Sequence, residues 1–233
     1  MDRTRWIVFG VLCAAIVGGL VYMSGSSKVN VDSVDAFTIT TNRDINDHVF
    51  GNKDAKVVVY EYADFQCPGC AGAYPNLKTI TETYKNQVAF VYRSFPLTSI
   101  HPHAFAAAAT AEAAGLQGKY WEMHDQLFET QDTWKNLSAE ARQNQFEQYA
   151  QALGLNVDQF RADLAGEKVA AKINFDRSLG LKVGVDSTPT VFINKEKIAN
   201  DIISDVIQQQ GKKLTDKLDE AIKQAGGTVP TAQ

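Results

Sequence analysis

Cys67-Pro68-Gly69-Cys70 is the stretch of this sequence whose residue types and spacing point most directly to chemistry. Two thiols one helical turn apart can close a small disulfide or resolve a mixed one. Val57 to Tyr62 is a short, β-branched and apolar run, which reads as a buried strand. Proline suits the first position of a helix, so a helix is expected to begin at Pro68. The strand then delivers Cys67 to a helix N-terminus, where unpaired N–H groups and the dipole favour a thiolate. Cys67 is expected to be the exposed attacking sulfur, with its pKa lowered. Cys70 shares a helical face with Tyr74 and Leu77 and is expected to be the buried resolving thiol. Two other readings of the pair stay open. A structural disulfide is one, although so short a loop removes little chain entropy. A zinc site with His101 and His103 is the other, although these flank Pro102 without a usual zinc-finger spacing.

Further polar residues come next. Glu61 alternates onto the strand face of Val57 and Val59, and both faces of that strand are apolar. Its carboxyl is therefore expected to be buried and raised in pKa. Thr188-Pro189 precedes the apolar run Thr190 to Ile193, and by itself this reads as a trans proline opening a strand. His124 reads as a packed or surface histidine. Tyr74, Tyr84, Phe90 and Phe105 read as core, while Trp121 and Trp134 could border a groove. Asn136-Leu137-Ser138 matches a glycosylation sequon, a pattern too short to carry weight.

The elements that must position these residues follow in order. Val88 to Tyr92 is a second buried strand. Pro75 falls inside the helix after Cys67 and should kink it. Helical patterns cover His103 to Ala114, Lys119 to Thr130, Ser138 to Leu153, Val157 to Leu164 and Glu167 to Leu181. A hairpin is expected around Asn194-Lys195, and a closing helix over Leu214 to Ala225. The order is strand, helix, strand, helical insert, strand, strand, helix. The chain thus divides into a first part over 34–100, a helical insert over 101–182, a second part over 183–226 that completes one small mixed sheet, and a tail over 227–233.

At the N-terminus, Trp6 to Met23 is uncharged, mostly apolar and long enough to span most of a bilayer as a helix. Arg3 and Arg5 precede it, which places the N-terminus in the cytoplasm and the rest outside. The expectation is a membrane anchor over 1–23, with Cys13 as a small apolar residue inside it. A cleaved signal peptide is the alternative. Residues 24–33 are rich in Ser, Gly and Asn and read as a flexible linker. The net charge of −4 comes with no basic stripe, so nucleic-acid binding has no electrostatic support. With three cysteines in 233 residues the chain is not a disulfide-stapled mini-domain.

The run Glu61-Tyr62-Ala63-Asp64-Phe65-Gln66-Cys67-Pro68-Gly69-Cys70, with Thr188-Pro189-Thr190 far downstream, resembles the DsbA-type thiol–disulfide oxidoreductases. His101-Pro102-His103-Ala104 and the segment Gly115 to Phe128 resemble them too, and the likeness runs from about Val34 to Ala225. It implies an α/β, thioredoxin-like fold with an inserted all-helical subdomain, here preceded by one transmembrane helix. It implies that Pro189 is cis, that Thr188, Pro189, Pro68 and Gly69 meet the substrate, and that Glu61 takes or returns the proton of Cys70. No cofactor is implied. The partners implied are reduced or unfolded proteins and a membrane protein, quinone-linked, that re-oxidises the pair; nothing demands more than a monomer. Pro68-Gly69 departs from the Pro-His pair of the most oxidising members, and glycine offers a thiolate only backbone. A milder oxidant is therefore expected, with a potential below about −120 mV. Electron flow stays open between oxidase, reductase and isomerase, and a non-enzymatic binding module with a structural disulfide is the further alternative.

Overall fold

The computed structural model describes residues 29–41, 46–208 and 210–230. The anchor expected over 1–23, with Cys13, lies outside the described residues. Among those described, no helix is long and apolar enough to cross a membrane.

The two central strands form where the sequence is most β-branched and aromatic. They are β2 (Val57–Ala63) and β3 (Val88–Ser94), paired in parallel with Glu61 opposite Tyr92. A parallel pair needs a crossover, and α1 (Pro68–Tyr84) supplies it. This helix runs unbroken through Pro75. On the other side of β2 lies β4 (Thr190–Ile193), antiparallel, followed by β5 (Glu196–Lys197). Asn194 turns this hairpin at φ 54°, and its side chain accepts from the Val58 N–H. The sheet order is β1-β3-β2-β4-β5, with β1 (His48–Gly51) antiparallel to β3 at one edge. Four residues containing a histidine and ending in glycine give too little alternation to be read as a strand in advance.

Between β3 and β4 the chain is helical: α2 (Ala104–Leu116), α3 (Tyr120–Glu129), α4 (Gln131–Trp134), α5 (Ala139–Ala152), α6 (Val157–Leu164) and α7 (Glu167–Lys182). After β5 come α8 (Asn200–Gln208) and α9 (Lys212–Gln224). The apolar positions Ile202, Ile203, Val206 and Ile207 place α8 against α1, in a stretch between the expected hairpin and closing helix for which the sequence carried no assignment.

The two faces of the sheet bury different material. Val59, Phe90, Val191 and Ile193 pack against α1, α8 and α9. Tyr60, Tyr62, Val91 and Phe192 pack against α7 and residues 29–39. Helix α7 approaches closely because position 180 is glycine; a Cβ there would come within 2.8 Å of the Phe95 ring. The flexible linker expected over 24–33 ends earlier than its composition suggested. Val31 is buried, and Lys182 donates to the carbonyls of Val31, Asp32 and Val34. Backbone hydrogen bonding by a distant lysine is not visible in a local Ser/Gly pattern.

Beneath that segment lies a cluster of four buried charges. Arg93, fully buried, grips Asp47 through Nε at 3.2 Å and Nη2 at 2.7 Å. It also donates to Tyr62 Oη and to the carbonyls of Ala36 and Thr38. Lys172 donates to Asp47 and Asp176, and Asp176 accepts from the Ser94 N–H. Two cations meet two anions, so the cluster is neutral, and each guanidinium N–H direction is used. It joins β3, α7 and the N-terminal segment.

Candidate active site

Cys67 ends the β2–α1 loop as the N-cap of α1. Two side chains shape that loop. Asp64 accepts from the N–H groups of Gln66 at 2.7 Å and Leu97 at 2.9 Å, and pairs with His101 Nδ1 at 2.8 Å. Gln131, buried on α4, donates Nε2 to the carbonyls of Phe65 at 2.8 Å and Cys67 at 3.1 Å. The Gln66 amide reaches across to the Lys135 carbonyl and the His103 N–H. The helical insert thus holds the loop from which the attacking sulfur projects. Sequence reading missed Gln131, Gln66 and Asp64, because their partners are backbone groups with no sequence signature.

Across from the cysteines lies the loop before β4. Thr188-Pro189 is cis, and the Thr188 carbonyl lies 3.5 Å from Cys67 Sγ. A Cβ at Gly69 would stand 3.5 Å from Pro189 Cδ, so the two turns face each other at van der Waals distance. Pro68 is exposed, while Gly69, Thr188 and Pro189 are half-buried around the sulfur.

Cys67 is less open than expected, with 8% of its surface accessible against 1% for Cys70. The cis-proline loop on one side and the clamped β2–α1 loop on the other account for this. Both cysteines are free thiols. The facing Cys70 thiol is the largest influence on Cys67. With the Thr188 side chain and the N–H groups of Gly69 and Cys70 at the helix start, it outweighs desolvation and brings Cys67 down to about 5. Cys70 goes the other way: burial first, then the Cys67 sulfur, push it well above its ordinary value. A folded-state pKa below the unfolded one stabilises the reduced fold above the ordinary thiol range, and this gain is lost as pH falls through about 5.

Glu61 lies close enough for its charge to act on Cys70, where it contributes to the raised pKa. It is half-buried rather than fully buried and lines a cavity whose rim includes Lys78, Thr81 and Glu82; desolvation raises its carboxyl to about 7. His101, one of the two histidines considered for zinc, is engaged by Asp64. Among the described residues no three His, Cys, Asp or Glu side chains are disposed around a common metal position.

A thioredoxin family model matches residues 43–224. Among solved structures, a thioredoxin-like oxidoreductase from Silicibacter pomeroyi DSS-3 is 28% identical, covering 78% of this chain and 99% of that one with a TM-score of 0.61. BdbD from Bacillus subtilis, in its oxidised form, shares the fold at 20% identity and a TM-score of 0.62, over 75% of this chain and 92% of its own. MdbA, a thiol–disulfide oxidoreductase from Corynebacterium diphtheriae, does so at 21% and 0.59, over 80% and 98%. The curated relatives carry a different name. Na(+)/H(+) antiporter NhaA 3 of Salinispora tropica is 43% identical over 148 residues, which are 64% of this chain and 22% of the antiporter. NhaA 1 of Mycolicibacterium vanbaalenii is 37% identical over 152 residues, again 64% of this chain and 23% of its own. This chain therefore spans under a quarter of the length of those relatives, and the likeness concerns one part of a longer protein. Fold, insertion and family match agree: the chain belongs to the thioredoxin family and has the architecture of its DsbA-type thiol–disulfide oxidoreductases.

Proposed function

We propose that this protein is a thiol–disulfide oxidoreductase that donates the Cys67–Cys70 disulfide to proteins outside the cytoplasm. The observation that carries this reading is the contrast within the pair. Cys67 is depressed to about 5 at a helix N-terminus beside the Thr188 carbonyl, and Cys70 is buried and raised. A substrate thiolate attacks Cys67 Sγ, and Cys70 leaves with the electron pair and is protonated. A second substrate thiolate then attacks the substrate sulfur of the mixed disulfide. Cys67 leaves as a stable thiolate, which makes it a fast leaving group. The substrate has lost two electrons and the enzyme has gained them. The half-buried loop before Thr190 would hold an extended substrate segment through its backbone, as in strand addition.

A membrane partner that re-oxidises the pair, an anchor upstream of residue 29, an extracytoplasmic site and a monomeric state complete the proposal. The antiporters that contain a related segment work in membranes, which is in keeping with a domain held beside one. Gly69 favours the milder end of the range, since only backbone stabilises the thiolate at that position. A reductase built on the same site is the second reading for that reason.

Equilibration with glutathione buffers tests the direction. A potential between about −120 and −200 mV is expected for a moderate disulfide donor. A value near about −270 mV would reverse the assigned electron flow and favour the reductase.

A further inference from the structure

On the α1 side of the sheet lies a cavity of about 70 Å³. That is room for about two water molecules. Glu61, Tyr92 and His124 all line it. Glu61 and Tyr92 sit opposite each other in the parallel β2–β3 register, so their side chains leave the sheet on one face. Tyr92 meets the His124 ring edge-on with centroids 4.7 Å apart. Tyr92 Oη and His124 Nε2 are buried and have no partner among the described residues. Buried polar atoms of this kind are met by water where a polar space exists.

His124 is oriented from behind. Its Nδ1 lies 3.0 Å from Asp125 Oδ1, which fixes the proton on Nδ1 and leaves Nε2 as an acceptor. Burial lowers the pKa of the imidazole. Asp125 Oδ2 in turn pairs with Lys78 Nζ at 2.9 Å, and these two side chains are 32% and 43% exposed. A line of polar groups therefore runs from Glu61, next to Cys70, to the surface at α1 and α3. Among the described residues, the titratable groups that face His124 or share its cavity are Asp125 and Tyr120 on α3, Lys78, Tyr74 and Glu82 on α1, Glu61 on β2, Tyr92 on β3 and His48 on β1.

We infer that His124 is a proton-relay residue, linking Glu61 through cavity water to Asp125 and solvent, and so sets the rate at which Cys70 gains or loses its proton. The inference rests on the thiol–disulfide reading above. When Cys70 attacks a mixed disulfide, the Cys70–Cys67 S–S bond forms and the Cys67–substrate S–S bond breaks. The electron pair leaves with the substrate sulfur. The Cys70 proton passes to the Glu61 carboxylate, then through water to His124 Nε2, while the Nδ1 proton is released to solvent at Asp125. The reverse sequence protonates Cys70 when it is the leaving group. Cys70 is only 1% exposed, so neighbouring polar groups are the nearest route for its proton.

The full chain, reduced and mixed rapidly with oxidised glutathione, separates two steps. Attack by Cys67 forms the glutathione adduct; attack by Cys70 then releases glutathione. In His124→Gln the first step is expected to stay within about twofold, while the second slows about tenfold near neutral pH. The second step should also keep rising with pH where the wild-type protein has levelled off. Asp125→Asn, altered near the surface, should show the same pattern more weakly, and Glu61→Gln more strongly. Equal slowing of both steps, or an unchanged second step in all three variants, overturns the relay. A wild-type protein that never forms the adduct overturns the thiol–disulfide reading itself.

Discussion

Cys67→Ser abolishes disulfide exchange, whereas Cys70→Ser keeps its first half. In the reducing direction the Cys70→Ser protein still attacks a substrate disulfide through Cys67, then stalls as a mixed disulfide with no resolving thiol. On a non-reducing gel it should accumulate covalent adducts that dithiothreitol releases, while Cys67→Ser forms none and refolds reduced substrates no faster than the uncatalysed rate. The asymmetry follows from geometry. Cys67 lies beside the Thr188 carbonyl at the half-buried loop, and Cys70 lies behind it in the core. Because the Cys70 thiol is the largest influence that lowers Cys67, the identity of the replacement also matters. Serine keeps a donor facing the sulfur and alanine does not. The Cys67 titration should stay near 5 in Cys70→Ser and move upward in Cys70→Ala. Adducts of equal abundance in both single-serine variants would refute the assignment of attacker and resolver.

Arg93→Met is expected to be the most damaging change away from the sulfurs. It removes one partner from a buried cluster and leaves Asp47 and Asp176 with Lys172 alone. Breaking such a pair by deleting one member costs about 3–5 kcal/mol. The Ala36 and Thr38 carbonyls lose their donor at the same time, so the segment over residues 29–41 should come free of the sheet. Urea unfolding should show the loss in the midpoint, and limited proteolysis should cut the freed segment first. Arg93→Lys should recover little, since one ammonium cannot replace a planar fork that contacts a carboxylate, a phenol and two carbonyls. A loss below about 1 kcal/mol would mean that the cluster is held mainly by Lys172 and by packing.

Much of this was legible from residue types because local and global preferences agree. The helix beginning at Pro68 needed only a proline after a buried strand. The helices expected over Ser138 to Leu153 and Val157 to Leu164 are found over Ala139–Ala152 and Val157–Leu164, each with an Asn or Ser cap at its start. The raised Glu61 carboxyl followed from strand alternation. The cis bond before Pro189 did not follow from the residues, which favoured trans; only the family likeness implied it. What stayed hidden depends on contacts made across the chain. Gln131 looks like any polar residue near a helix start until the fold brings it to the Cys67 carbonyl, 64 positions away. His124 reads as an ordinary packed histidine, and only the cavity beside it gives its free nitrogen a direction.

The placing of Cys67 also bears on how long such a site survives. A low-pKa thiolate is the side chain most readily damaged by peroxides, which carry it through sulfenic to irreversible sulfinic acid. Here the first product would form with only 8% of the residue open to solvent and with the Cys70 thiol already facing it. Condensation of the two expels water and restores the disulfide, which is the state from which donation starts. Wear and turnover converge on one chemical form. Peroxide-treated protein should therefore lose two hydrogens by mass, where the Cys70→Ser protein would gain oxygens.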